Sequence, residues 1–451
     1  MEVLSHQGQA GGSLAREAAL TLRRAGHQVF LVGGCVRDRL LRLPIHDRDL
    51  ATSATPPDLL QLFPDAVLVG AHFGVILLRR DGEEVQIATY RSEGGYRDGR
   101  HPEEVQFEKD VREDLRRRDF TINALLEDPV TGEITDLVGG RQDLHRRLIR
   151  AIGDPGARFA EDYLRLLRAV RFAARLGFHI EPHTMDAMRR HAAGVREISP
   201  ERVRDEISRI LTEGGARRGF ELLDDSGLLP HVLPEVARMK GVEQPPDFHP
   251  EGDVWLHTLG LLERLDHPPL EIALAALLHD VGKPLTQTRE DRIRFNGHDR
   301  VGAEAAREIL ARLRYPAEVI EAVSWMTAQH MRFKDAIQMT NSTFKRFARQ
   351  PRFGQLLELH RLDLLAGQRP QTNYDAVRQR LDAIPPEALR PQPLVTGRDL
   401  IGMGFRPGPL FALVLHAVET EQLEGRLQSR ESALEFARTE MARRASEPAS
   451  T

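Results

Sequence analysis

The stretch LVGGCVRDRLL, residues 31–41, followed by IHDRDLATS at 45–53, decides how the front of this chain folds. Residues 28–34, QVFLVGG, are an apolar run ending in two glycines; this reads as a buried strand entering a tight turn, and VRDRLLR continues at helical spacing. After a break at Pro44, IHDRDLATS returns as a second strand. TPPDLLQLF then has the marks of a helix start, with Thr55 as N-cap and Pro56 at the first helical position. VILLRR and EEVQIATYR flank Asp81-Gly82, a dipeptide suited to the left-handed turn of a two-residue hairpin. The first 145 residues therefore predict an α/β domain.

From about residue 155 strand signals fade, and EDYLRLLRAVRFAARL and ERVRDEISRIL carry helical periods. GVEQPPDFHPEGD at 241–253 has loop composition and marks a domain boundary, and a second is suggested near RPQTNYD and IPPEALRPQP. The tail from Glu447 is expected to fray. A chain of 451 residues exceeds what one core supports, and 41% hydrophobic with 29% charged residues suits several soluble domains. No apolar stretch approaches a membrane span, no basic n-region precedes an apolar core, and the single cysteine, Cys35, suits a reducing compartment; the cytoplasm is the expected location. A net charge of -4 exerts no global pull on nucleic acid, so any RNA contact must rest on local basic surface. Only five of the 63 basic residues are lysine, which favours bidentate phosphate contacts, although codon bias explains the excess as well.

Two chemical sites emerge from the pattern. Gly33 and Gly34 stand between strand and helix, where bare backbone N–H groups and the helix dipole can receive phosphate, or simply make a turn. Asp47 and Asp49 lie two apart on the second strand, so both carboxylates project from one face, about 6–7 Å apart, and can share a divalent ion. Mg²⁺ prefers such oxygens, and two ions can activate a hydroxyl and neutralise departing pyrophosphate. Asp-x-Asp alone also occurs on solvated strand ends, so its context matters. Further on, Asp162, Arg165 and Arg168 recur every three residues on the polar face of an expected helix, opposite Leu164, Leu167 and Val170. An Asp and Arg pair complements the exocyclic amino donor and ring-nitrogen acceptor of cytosine and adenine; otherwise it is a surface ion pair. The second site is an ordered set: His257, then His279 and Asp280 in LLHDVGKP, then His298, His330 and Asp363. Imidazoles and carboxylates together suit a divalent transition metal.

LVGGCVRDRLL with IHDRDL resembles the nucleotide-binding signature of bacterial tRNA nucleotidyltransferases and poly(A) polymerases. DLRRRDFTINAL at 114–125, RFAEDYLRLLRAVRFAARLGF at 158–178 and LVTGRDLIGMGFRPGPL near the C-terminus are similar to later motifs of that family. The resemblance implies that Gly34 and Arg37 hold the triphosphate and that Asp47 and Asp49 bind catalytic Mg²⁺. It assigns Arg117, Arg118, Asp119 and Asn123 to the sugar and phosphates, Asp162 and Arg165 to the choice of CTP and ATP, and Arg168 and Arg171 to the nucleotide. One departure is that Gln86 stands where the family often has a third carboxylate; Glu84 shares its strand face but sits near the hairpin turn, where solvated glutamates are ordinary. The histidine and aspartate set resembles the HD superfamily of metal-dependent phosphohydrolases, in which Lys283 matches a lysine near substrate phosphate.

The fold implied is α+β: a nucleotidyltransferase head of mixed sheet and helices at 1–145, an all-α neck or body binding base and tRNA at 146–245, a helical HD domain at 246–370 and a helical tail at 371–451. The function implied is addition of CMP and AMP to tRNA 3′ ends without a template, with tRNA, CTP and ATP as partners and neither membrane nor DNA expected. SEGGYRDGRHPEEVQFEKDVRE at 92–113 suggests a flexible segment that serves the switch from C to A addition. A-adding enzymes, CC-adding enzymes and poly(A) polymerases share these motifs. A phosphohydrolase whose front half only binds RNA, or a noncatalytic tRNA-binding protein, are readings of other classes.

Overall fold

A computed structural model describes residues 13–45, 47–69, 74–96, 102–245 and 252–446. These form two compact units, one from residues 1–238 with 265–270 and 309–315, the other from 239–264, 271–308 and 316–451. The first carries a mixed sheet of β1 (Val29–Val32), β2 (Asp49–Thr52), β3 (Val67–Leu68), β4 (Val75–Arg80), β5 (Glu83–Thr89), and, after the separate hairpin of β6 (Arg91–Tyr96) and β7 (Pro102–Phe107), β8 (Leu126–Glu127) and β9 (Ile134–Thr135). Its order is β3-β4-β5-β2-β1-β8-β9, with β2 and β5 parallel and the other neighbours antiparallel. Asp81 and Gly82 both take positive φ, 50° and 79°, as the expected hairpin turn between β4 and β5 requires.

Strand alternation gives the sheet two different faces. Leu50, Val85 and Ile87 join Leu14, Ala18 and Leu22 of helix α1 (Ser13–Arg24) in one buried cluster, whereas Ala51 faces Val32, Tyr90, Leu115 and Leu126 in another. Asp49 shares the parity of Ala51, so it stands on the second face.

Helices α2 (Gly34–Leu40), α3 (Pro56–Leu62), α4 (Val111–Arg116) and α5 (Gly140–Arg146) complete the head, and Thr55 caps α3 as expected, with its N–H donating to Asp58 Oδ2 at 3.0 Å. Beyond them α6 (Pro155–Glu161), α7 (Leu164–Leu176), α8 (Pro182–His191), α9 (Pro200–Thr212) and α10 (Ala216–Asp225) follow, with α7 packed against α9 and α10.

Two expectations are corrected. The second strand starts at Asp49, not residue 45, because β1 ends at Val32 and the chain turns away at Gly33, leaving no antiparallel partner beyond the Val32 to Asp49 pair. The helix expected through 161–176 is interrupted at Asp162, whose backbone is extended (φ -150°) and whose Oδ1 accepts from Leu164 N–H, the local competition by which Asp opens a helix. Within the 92–113 stretch, β6 and β7 pair in register from Arg91 opposite Phe107 to Tyr96 opposite Pro102, and residues 97–101 lie outside the described residues. The IPPEALRPQP stretch, which suggests a boundary by its composition, includes a helical turn, Pro386–Leu389, where proline suits the first position. The frayed tail expected from Glu447 lies outside the described residues.

Candidate functional site

The turn at Gly33 brings the head site together. Its φ of 86° is left-handed, a conformation that costs a side chain about 1–2 kcal/mol. A Cβ there would sit 3.9 Å from both Arg118 Nη1 and Asp49 Oδ2, so a guanidinium and a carboxylate both close on this turn. Burial pushes the Asp49 carboxyl above its ordinary value against the charge of Arg118, and the neighbouring charge of Asp47 raises it further. Asp47 and Asp49 together line a cavity of about 500 Å³ with Gly34, Arg37, Arg171 and Arg175, and another of about 470 Å³ with Glu84 and Gln86. Both volumes are of small-molecule size. Gln86 is the register partner of Asp49 on β5, and Glu84 is exposed and paired with Arg79 at 2.7 Å. Among the described residues no third His, Cys, Asp or Glu converges on this pair. Two neighbouring carboxylates, with the charge of Asp47 disfavouring ionisation of Asp49, fit a hard divalent cation.

A chain of hydrogen bonds ties the remaining motifs together. Arg37 Nη1 donates to Asn123 Oδ1 at 2.6 Å, Asn123 Nδ2 to Asp119 Oδ1 at 3.1 Å, and Arg168 Nε and Nη2 to Asp119 Oδ2 at 2.8 and 2.6 Å. Burial alone would raise Asp119; Arg168, Asn123 and the Phe120 N–H reverse that and hold it below the usual carboxylate value. Buried Asp114 does the same for Arg117 and Arg118, at 2.5 and 2.9 Å; their charges overcome its desolvation and depress its pKa. Arg37, Arg168 and Arg171 all stand over the Phe172 ring, 4.6–5.2 Å from its centroid, within cation–π range. Arg171 Nε lies 3.0 Å from Glu206 Oε2; burial lowers the guanidinium pKa and raises that of the carboxyl.

The side chains of Asp162 and Arg165 do not pair with one another, although Arg165 N–H donates to Asp162 O at 3.0 Å. Asp162 Oδ2 accepts from Arg202 at 2.7 Å, while Arg165 donates to Glu161, to Arg158 O and to Arg117 O. The break at Asp162 separates the two side chains from the common helix face expected of them.

In the second unit the ordered histidine set converges. His257 lies on the helix Val254–Glu263, His279 and Asp280 follow Leu270–Leu278, His298 opens His298–Arg312, His330 follows Ala317–Gln329 and Asp363 lies on Phe353–Ala366. Gly282 permits the approach, since a Cβ there would meet His298 O at 2.3 Å and Gly302 N at 2.6 Å. His257, His279 and Asp280 form one buried three-ligand group, and Asp280, His298 and His330 another, each with ligand atoms within 4.8 Å of one another. Asp363 belongs to neither; its Oδ1 is 3.0 Å from His257 Nε2 and its Oδ2 2.7 Å from Arg369. Nδ1 of His279, His298 and His330 each lies 2.6–3.0 Å from the carbonyl oxygen three residues earlier, which fixes the tautomer that leaves Nε2 as a ligand. Burial holds His330 down to about 4, hence neutral. Burial would raise Asp280, but its neighbours His279 and Lys283 outweigh that and hold it well below its ordinary value. Nε2 of His279 is buried without a hydrogen-bond partner. A metal ion fits this donor set.

Several participants were not anticipated from sequence: Asp114, Glu161, Arg202, Phe172 and Arg369. Glu161 was readable as an i,i+4 partner of Arg165, and Asp114 as an i,i+3 and i,i+4 partner of the two arginines; Arg202, 40 residues from Asp162, carried no local signal.

The chain is similar to known proteins along most of its length. Residues 29–150 match the poly A polymerase head domain, 177–240 the probable RNA and SrmB-binding site of polymerase A, and 253–384 the HD domain. The CCA-adding enzyme of Levilactobacillus brevis is 34% identical over 433 residues, 95% of this chain and 97% of that protein. That of Limosilactobacillus fermentum is 44% identical over 219 residues, 48% of this chain and 54% of the relative, so that match spans about half its length. The crystal structure of the Bacillus stearothermophilus CCA-adding enzyme in complex with CTP superimposes with a TM-score of 0.74 at 26% identity, covering 97% of this chain and 99% of that one. Among the described residues no helix is long and apolar enough to cross a membrane.

Proposed function

The chain belongs to the CCA-adding enzyme family, and on that footing we propose that it adds CMP and AMP to the 3′ end of tRNA in the cytoplasm, without a nucleic-acid template. Asp47 and Asp49 opening onto one cavity with Gly34, Arg37 and Arg171 carry this reading. Magnesium held by the two carboxylates would activate the terminal hydroxyl and neutralise the leaving pyrophosphate. The backbone at Gly33 and Gly34 and the guanidinium of Arg37 receive the triphosphate. Arg117, Arg118 and Arg168, held by Asp114 and Asp119, present fixed positive charge where negative charge develops, so no reorganisation is needed in the transition state. Asp162 accepts from the exocyclic amino group of cytosine or adenine. Arg165 donates to the ring nitrogen, three hydrogen bonds to protein acceptors fixing its guanidinium. Residues 1–145 thus perform the transfer, 146–245 read base and tRNA, 246–370 form the HD domain and 371–451 the tail.

The convergence of two three-ligand groups on Asp280 supports a second activity, metal-dependent hydrolysis of a phosphoester, with a divalent transition metal on His257, His279, Asp280, His298, His330 and Asp363 and with Lys283 at the phosphate. Asp47→Ala tests the division. Incorporation of labelled CTP and ATP into tRNA lacking CCA is expected to vanish while phosphoester hydrolysis persists, and surviving incorporation refutes the assignment. Sequencing the 3′ ends made from transcripts ending before, within and after CCA separates full CCA synthesis from A-only, CC-only or poly(A) addition.

A further inference from the structure

Gln244 lies in the loop before the helix Val254–Glu263 and is only 5% exposed. Its Oε1 accepts from Lys283 Nζ at 2.6 Å, and the same ammonium is 2.7 Å from Asp280 Oδ2. Lysine has only donors, so this contact fixes which end of the amide is oxygen. The other end, Nε2, is buried and has no hydrogen-bond partner among the described residues. A second atom without a hydrogen-bond partner, His279 Nε2, lies 3.1 Å from the same oxygen, Asp280 Oδ2. One of these atoms is a metal-ligating nitrogen and the other an amide donor beside a lysine. Buried polar groups are seldom left unpaired, and two such atoms beside one metal-ligating carboxylate are accounted for by groups that bind there. A metal completes the first; an anionic oxygen completes the second.

We propose that Gln244 is a substrate-binding residue of this site, its amide N–H groups and the Lys283 ammonium together cradling the non-bridging oxygens of a phosphate ester. The proposal rests on the phosphohydrolase reading. Tetrahedral phosphate suits the place because two donors of different charge converge there: a dianion draws the ammonium, while the neutral amide adds a directional bond without adding charge.

The test uses the full chain carrying Asp47→Ala and Asp49→Ala, which removes the metal ligands of the head site, so that phosphate binding that depends on Mn²⁺ belongs to the second site. Calorimetry measures Mn²⁺ affinity, then the affinity of the Mn²⁺-loaded protein for inorganic phosphate. Gln244→Met removes both ends of the amide, and Gln244→Glu keeps the acceptor for Lys283 but removes the donor. Mn²⁺ affinity is expected within about threefold of the parent in both variants, which also establishes that the unit is folded, whereas phosphate binding weakens at least about tenfold, the loss of one hydrogen bond to a charged group. Phosphate bound as tightly by either variant as by the parent overturns the proposal while the metal site stands. A parent that binds Mn²⁺ but no phosphate also overturns it. A parent that binds no Mn²⁺ overturns the phosphohydrolase reading together with it.

Discussion

Asp119 and Arg168 are joined by two hydrogen bonds to one carboxylate oxygen, and that pair should behave as a unit in catalysis. A hydrogen bond to a charged group contributes about 1.5–3 kcal/mol. The Arg168 side chain is 33% exposed, so solvent screening places the pair near the lower end, about 1.5–2 kcal/mol. Asp119→Asn keeps the shape but removes the charge, and Arg168→Met removes the guanidinium. If Asp119 acts by aiming Arg168 at the nucleotide, each change lowers kcat/KM for CTP about 13- to 30-fold. The double variant should be no worse than the worse single one, because the second change removes a group already misaligned. Initial rates of CTP incorporation into tRNA ending before CCA, measured for all four proteins, give the coupling directly. Losses that multiply, to several hundredfold in the double variant, would refute the reasoning and make the two side chains independent.

Two further outcomes are expected. The folded Asp114 carboxyl is held below 3.8, so its contribution to stability is complete above that pH and is lost as pH falls through the lower folded value. The melting temperature of Asp114→Asn should therefore lie furthest below that of the parent near neutral pH and converge with it below pH 4; a gap that widens in acid contradicts the assignment. For the histidine cluster, metal at a hundred times its Kd stabilises by about 2.7 kcal/mol. Chelation should lower the corresponding melting transition, and Asp280→Asn should erase the metal-dependent shift, because Asp280 serves both ligand groups; a shift that survives the substitution locates the metal elsewhere.

Local chemistry was legible in the residues because its physical range is a few positions along the chain. The apolar run into Gly33 ends in a left-handed turn, Asp81-Gly82 closes its hairpin with two positive φ angles, and Asp47 and Asp49, two apart, open onto shared cavities. The order of histidines and aspartates in the second unit was visible for a different reason: a metal demands particular ligand types wherever the chain supplies them. Packing alone decided the partners. Asp162 pairs with Arg202, Asp119 with Arg168 and Gln244 with Lys283 across 39 to 49 residues, and no spacing rule reaches that far. The interruption at Asp162 belongs to the same class. Periodicity favoured an unbroken helix, and a side chain able to satisfy the Leu164 N–H, with Arg202 waiting for its other oxygen, tipped the balance. Hydrophobic period reports which face of an element is buried, whereas the pairing of buried charges depends on what the folded chain brings opposite them.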